Sequence, residues 1–304
     1  MPIVSVLTAA LPDRAELLAE AADSLAEQRL PDGWELEWIL QEDGPTSRLA
    51  NIPSARHASN GERLGIPVTR NLALSRARGQ LVHVLDSDDV LLPDCLNAAI
   101  EAFEANPSIH WVVGRADDLL PGNTRLPFPP QIPPGIISPG VIGAFLEENG
   151  YPPITCTGIT LRTATVRALG GWVAAPRAED LALVVAISEL TAGYLTPDVT
   201  WLYRRHPEQI TRQSAWSVLH GESMALVRQR IQAVRDCGIR VDGVPEELIR
   251  PRADTQRADE DLPELVSERL HQIELEVGKM RAEQQAFAAQ VMDLLTGAPE
   301  LPDK

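Results

Sequence analysis

The chain has 304 residues, 44% of them hydrophobic, and a formal net charge of −16. That is enough apolar material for one large domain or two smaller ones. Such acidity argues against phosphate-driven nucleic-acid binding and against attraction to anionic membranes, so an anionic ligand needs a local cation, a metal ion or a helix N-terminus.

Ile3 to Leu7 reads as a buried strand, too short for a signal-peptide core, and no run approaches eighteen apolar residues. A cytoplasmic protein with no transmembrane segment is therefore expected. Cys95, Cys156 and Cys237 form no CxxC pair and predict small reduced core residues. Leu17, Leu18, Ala21, Ala22 and Leu25 recur at helical spacing, and Pro31-Asp32-Gly33 breaks that helix. Trp34 to Leu40 is a second strand, running into Glu42-Asp43-Gly44-Pro45. A helix is expected from near Val68 to about Arg78, with Gly79 as its stop. Leu81 to Leu85 is a third strand ending at Asp86; Pro93 to Ala105 is helical, and His110 to Gly114 is a further strand.

Strands alternating with helices predict an α/β domain with a largely parallel sheet flanked by helices. In such sheets ligands sit beyond the carboxyl ends of the strands, where Glu42, Asp43, Asp86 and Asp88 fall. Residues 121–140, rich in Pro and Gly, predict a long irregular connection of the kind that is often functional. Then come Ile159 to Arg162, a Gly170-Gly171-Trp172 turn and a helix starting near Glu179.

Past Arg212 the pattern changes. Trp216 to Cys237 reads as helix and Asp242 to Leu262 as linker. From Glu264 to Leu295 the residues Val266, Leu270, Ile273, Val277, Met280, Gln284, Phe287, Val291 and Leu294 alternate steps of four and three, a heptad seam with one polar member. Three regions follow: a catalytic domain over 1–212, a helical extension and linker over 213–262, and a C-terminal helix over 263–304. The seam predicts a homo-oligomer; the alternative is a helix packed on its own catalytic domain.

Asp86-Ser87-Asp88-Asp89 places three carboxylates at a strand end, where their repulsion calls for a cation. Hard divalent ions prefer oxygen ligands, and Mg²⁺ or Mn²⁺ bridging two phosphates fits; the plain alternative is a polar turn capping the next helix. Arg70-Asn71 opens a helix after Asn60 and Gly65 and can place a cation near a phosphate. Glu179-Asp180 opens another, where the helix dipole favours carboxylate charge and a general base can sit. His206 follows Arg204-Arg205. Trp172 and Trp201 can stack on sugar rings or pack in the core.

In this order, Val4-Ser5-Val6-Leu7-Thr8, Glu42-Asp43-Gly44, Arg70-Asn71, Leu85-Asp86-Ser87-Asp88-Asp89, Gly170-Gly171-Trp172 with Glu179-Asp180, and Arg204-Arg205-His206 resemble the family 2 glycosyltransferases of the GT-A fold, over about residues 1–212. The resemblance implies a Rossmann-like sheet and inverting transfer from a nucleotide sugar, with UDP favoured over dTDP and GDP, to an acceptor hydroxyl on a soluble small molecule or glycan. It implies that Thr8, Glu42 or Asp43, and Arg70 hold base and ribose, with Asp86 and Ser87 beside them. Asp88 is then the metal ligand, Asp180 the base with Glu179 beside it, and His206 a completion of the shell of Mn²⁺ or Mg²⁺. Leu7-Thr8-Ala9-Ala10 and Glu42-Asp43-Gly44-Pro45 depart from the usual Pro-Thr-Tyr-Asn and Asp-Asp-Gly-Ser. The rival reading is a non-catalytic nucleotide-sugar-binding scaffold acting through its C-terminal coiled coil.

Overall fold

The computed structural model describes residues 1–238 apart from 46–48, 50, 53, 208 and 210–217. The expected linker and heptad seam lie outside these residues.

The N-terminal half is the expected alternation. Strands β1 (Ile3–Ala10), β2 (Glu35–Glu42), β3 (Ala55–Ser59) and β4 (Leu81–Val84) pair in parallel in the order β3-β2-β1-β4. Helix α1 (Ala15–Ala26) buries Leu18, Ala21 and Leu25 along one stripe, as their spacing requires. Helix α2 (Ile66–Arg76) starts after Gly65, whose φ of 90° is a glycine conformation, with Pro67 in its first turn where no amide donor is missed.

Beyond β4 the sheet is mixed. After the short β5 (Val90–Leu91) and α3 (Cys95–Ala105), strand β6 (Trp111–Leu120) runs in the direction of β4. Between those two lies β9 (Ile159–Arg162), antiparallel to both. The irregular segment 121–140 contains two short strands, β7 (Thr124–Leu126) and β8 (Gly135–Ile137), which pair with β6 and with β10. Helices α4 (Val141–Asn149), α5 (Thr163–Ala168) and α6 (Glu179–Leu190) follow, then β10 (Gly193–Arg204), parallel to β6, and α7 (His220–Cys237). Sequence reading missed β10. Pro197 interrupts its pattern, and its register shifts twice between Leu195 and Trp201, a bulge that accommodates a residue unable to donate to the ladder.

The sheet carries apolar clusters on both faces. One, including Val4, Leu18, Leu96, Ile100 and Trp201, lies under α1 and α3. The other, including Leu7, Leu74, Val84, Trp111, Trp172 and Leu183, lies under α2, α4 and α6. A third joins Leu181 and Val185 of α6 to Met224, Val227 and Ile231 of α7, so α6 is buried nearly all round. Arg235 of α7 fixes this layer, donating to both carboxylate oxygens of Glu189 (2.8 Å each) and to Glu147 of α4. Among the described residues no helix is long and apolar enough to cross a membrane.

Candidate active site

Parallel strands β1, β2 and β4 end on the same side of the sheet, and of the acids predicted there Asp43, Asp86 and Asp88 bear on one site, while Glu42 does not. Immediately past β4, Asp86 accepts a 2.7 Å hydrogen bond from Arg70. Ser87 and Asp88 form the turn, both half-buried. Asp88 Oδ2 lies 2.9 Å from His206 Nε2, so residues 118 positions apart become a pair. Arg204 braces this turn: its backbone amide donates to Asp89 Oδ1 (3.0 Å), its Nε to the Asp88 carbonyl (2.7 Å) and a terminal nitrogen to Glu20 of α1 (2.6 Å). Gln209 Nε2 donates to the Arg204 carbonyl at 2.7 Å.

Helix α2 supplies the other side. Asp43, just past β2, is buried, and its carboxylate accepts from the backbone amides of Leu64 (2.7 Å) and Gly65 (3.1 Å). It thereby satisfies the donor of the N-cap residue of α2 and of the residue before it and is further held by Asn60 (3.1 Å). The first turns of α2 then deliver Arg70, only 4% exposed, between two carboxylates: Asp86 and, at 3.0 Å, Glu179 at the head of α6. The neighbouring Asn71 grips Trp172, its Nδ2 donating to the Trp172 carbonyl (2.8 Å) and its Oδ1 accepting from the Trp172 amide (3.0 Å). The Arg70 guanidinium lies 6.0 Å from the centre of the Trp172 ring.

These contacts set the electrostatics. Burial opposes the charge of Arg70, but Asp86, Glu179 and Asp180 more than offset it and hold its proton more tightly than in water. Burial pushes the Glu179 carboxyl up to about 7, reinforced by Asp180 and partly countered by Arg70. Burial likewise raises Asp86, against the pull of Arg70. Asp89 is raised well above its ordinary value by burial and by Asp86 and Asp88; among the described residues its Oδ2 has no hydrogen-bond partner. Cys156, packed against the start of α6, is raised by burial and then by Asp180 and Glu179, which keeps it a thiol.

Other predicted residues sit differently. Thr8 is fully buried on β1, its hydroxyl accepting from Trp38 Nε1 at 3.1 Å. Glu42 is also fully buried, 2.9 Å from His57 Nε2 and accepting from the Leu49 amide. Neither belongs to the cluster around Arg70, whereas Asp43 acts on it by anchoring α2. Trp172 and Trp201 are 4% and 1% exposed and serve the core. Sequence reading missed the roles of Asn71, Arg204 and Gln209. The first two stand inside motifs that had been singled out, but their partners lie about a hundred residues away.

Among the described residues no group of three or more His, Cys, Asp and Glu side chains converges as a cation cage. Asp88 and His206 offer one carboxylate and one imidazole. That donor set fits Mg²⁺ or Mn²⁺ completed by substrate phosphates rather than an all-protein site.

Residues 5–129 match the family model described as glycosyl transferase family 2. An uncharacterized glycosyltransferase of Methanocaldococcus jannaschii is 28% identical over 117 residues, covering 36% of this chain and 39% of its own. An uncharacterized protein of Sinorhizobium fredii is 26% identical over 133 residues, covering 41% of this chain and 14% of its own. The chain thus spans less than half the length of either curated relative. Among solved structures, S. aureus TarS in complex with UDP-GlcNAc superposes with a TM-score of 0.58 at 16% identity, covering 76% of this chain and 66% of that one. The mannosyltransferase PcManGT from Pyrobaculum calidifontis, in complex with GDP-Man and Mn²⁺, gives 0.51 at 18% identity, covering 77% and 64%. At these identities the likeness is one of fold, and the fold is GT-A.

Proposed function

We propose that this chain, which over residues 5–129 belongs to glycosyl transferase family 2, transfers a sugar from a nucleotide-sugar donor to an acceptor hydroxyl with inversion at the anomeric carbon. The observation that carries this reading is the guanidinium of Arg70, shared by Asp86 at a strand end and Glu179 at a helix start. It ties a candidate donor site to the acid pair that contains the candidate base, Asp180. A UDP-sugar is the favoured donor, with dTDP- and GDP-sugars as competitors in the same assay.

In this reading Asp88 and His206 hold Mn²⁺ or Mg²⁺, which when bound supplies Lewis-acid neutralisation of the departing diphosphate. Arg204 keeps the Asp88 turn in place. Arg70 engages Glu179, which leaves Asp180, half-buried on the first turn of α6, to take the proton from the attacking hydroxyl. The acceptor is a soluble small molecule or a glycan, and the C-terminal segment over 263–304, through its seam from Val266 to Leu294, assembles a homo-oligomer.

Asp180→Asn keeps shape and cannot accept the proton. Turnover should fall by about two to four orders of magnitude with donor Kd almost unchanged, as expected for loss of a general base. In parallel, Asp88→Asn should abolish any Mn²⁺-dependent rise in melting temperature with UDP-sugars. Normal turnover by Asp180→Asn, or an undiminished Mn²⁺-dependent shift in Asp88→Asn, would sink the corresponding assignment.

A further inference from the structure

We infer that Asn71 is a positioning residue for the acid pair at the head of α6, an inference that rests on reading Asp180 as the base. The loop from Trp172 to Glu179 is fastened at both ends by consecutive residues of one helix. At its start, Asn71 spends its amide on both backbone groups of Trp172 (2.8 and 3.0 Å); at its end, Arg70 holds Glu179 at 3.0 Å. Because α2 is itself anchored through Asp43, the span of the loop is fixed, and with it the place of Asp180 in the first turn of α6.

Two further observations bear on the clamp. Gly171 has φ +69°, and a Cβ built there would overlap Asn71 Oδ1, so a side chain at 171 displaces the amide from Trp172. At the other end the loop enters α6 through Ala178 at φ 54°, a left-handed conformation that an alanine adopts only when its surroundings impose it. A loop fastened at one end only would relax there. Asn71 thus acts on the base through the backbone.

The experiment uses the full chain with a donor and acceptor pair that gives turnover. Asn71→Ala removes both hydrogen bonds; Asn71→Asp keeps the volume and the acceptor but loses the donor. Expected are a donor Kd within about twofold of the parent and a kcat reduced on the order of ten- to a hundredfold, the effect of small misplacement of a catalytic group, with Asn71→Asp in between. Amide hydrogen exchange over 172–180 should quicken, while the rest of the sheet keeps its protection. Asn71→Ala combined with Asp180→Asn should be no slower than Asp180→Asn alone, because both changes remove the same act. Unchanged kcat and unchanged exchange over 172–180 in Asn71→Ala, beside a collapsed Asp180→Asn, would overturn the clamp and leave the base reading standing. Normal turnover in Asp180→Asn would instead remove the base reading itself.

Discussion

Glu179 and Asp180 are adjacent in sequence, yet one is spent on Arg70 and 9% exposed, while the other is half-buried on the first turn of α6. Their difference has a consequence for stability. Burial raises Glu179 from an ordinary 4.5 to about 7. Between those values the unfolded chain has lost a proton that the folded chain keeps, so stability is fully present below about 4.5 and falls as pH rises toward 7. Removing the charge in Glu179→Gln should abolish this contribution, worth at most about 3 kcal/mol. Urea melts of parent and variant at pH 4.5, 6 and 7.5 check it; parallel stability profiles would show that Glu179 does not titrate in this window. Sequence reading found this pair and the Asp86–Asp88 acids because charge at strand ends and helix starts is a local pattern. It did not find that Arg70 serves the carboxylates: an ion pair spanning 109 residues has no local signal.

At the level of elements, the insertion of β9 between β4 and β6 brings one glycine against one tryptophan. Gly158 donates its amide to the Val84 carbonyl at the carboxyl end of β4, with φ +65°, and a Cβ there would fall inside the Trp201 indole. That indole is itself fixed by a 3.1 Å hydrogen bond to the Gly114 carbonyl. Gly158→Ala therefore combines a left-handed alanine, about 1–2 kcal/mol, with overpacking of about 1–3 kcal/mol. A loss of roughly 2–5 kcal/mol in chemical denaturation is expected, and a variant as stable as the parent would show that Trp201 can move aside. The elements that sequence reading recovered, among them β1, α1, β2, α2, β4, α3, β6, α6 and α7, are those whose apolar residues recur with one period or form one short run. Those it missed depend on partners instead. β7 and β8 have only three residues each and are strands because β6 and β10 are beside them, and β10 hides behind Pro197 and a bulge.

For the whole molecule, the candidate site is assembled on one side of the sheet from two stretches of chain that sequence order keeps apart. Residues 43–88 provide the acids after β2 and β4 and the arginine of α2; residues 172–206 provide Trp172, the acid pair and His206. The order of motifs was readable, and their convergence follows from the topology, since β1, β2, β4, β6 and β10 run in one direction. Assembly of several chains is a separate matter. The seam from Val266 to Leu294 leads us to expect that deleting residues 263–304 converts an oligomer into a monomer and spares most of the turnover, as light scattering at micromolar concentration can check. A monomeric parent would end that expectation. The way α7 is attached also matters at the bench. Its last turn grips α6 and α4 through Arg235, and α6 is the rod whose tip carries the acid pair. A resin, a fused reporter or a pulling handle coupled just after Gly238 therefore loads that rod directly, whereas coupling through Met1, 81% exposed and at the opposite end of β1 from the acids, leaves it unloaded.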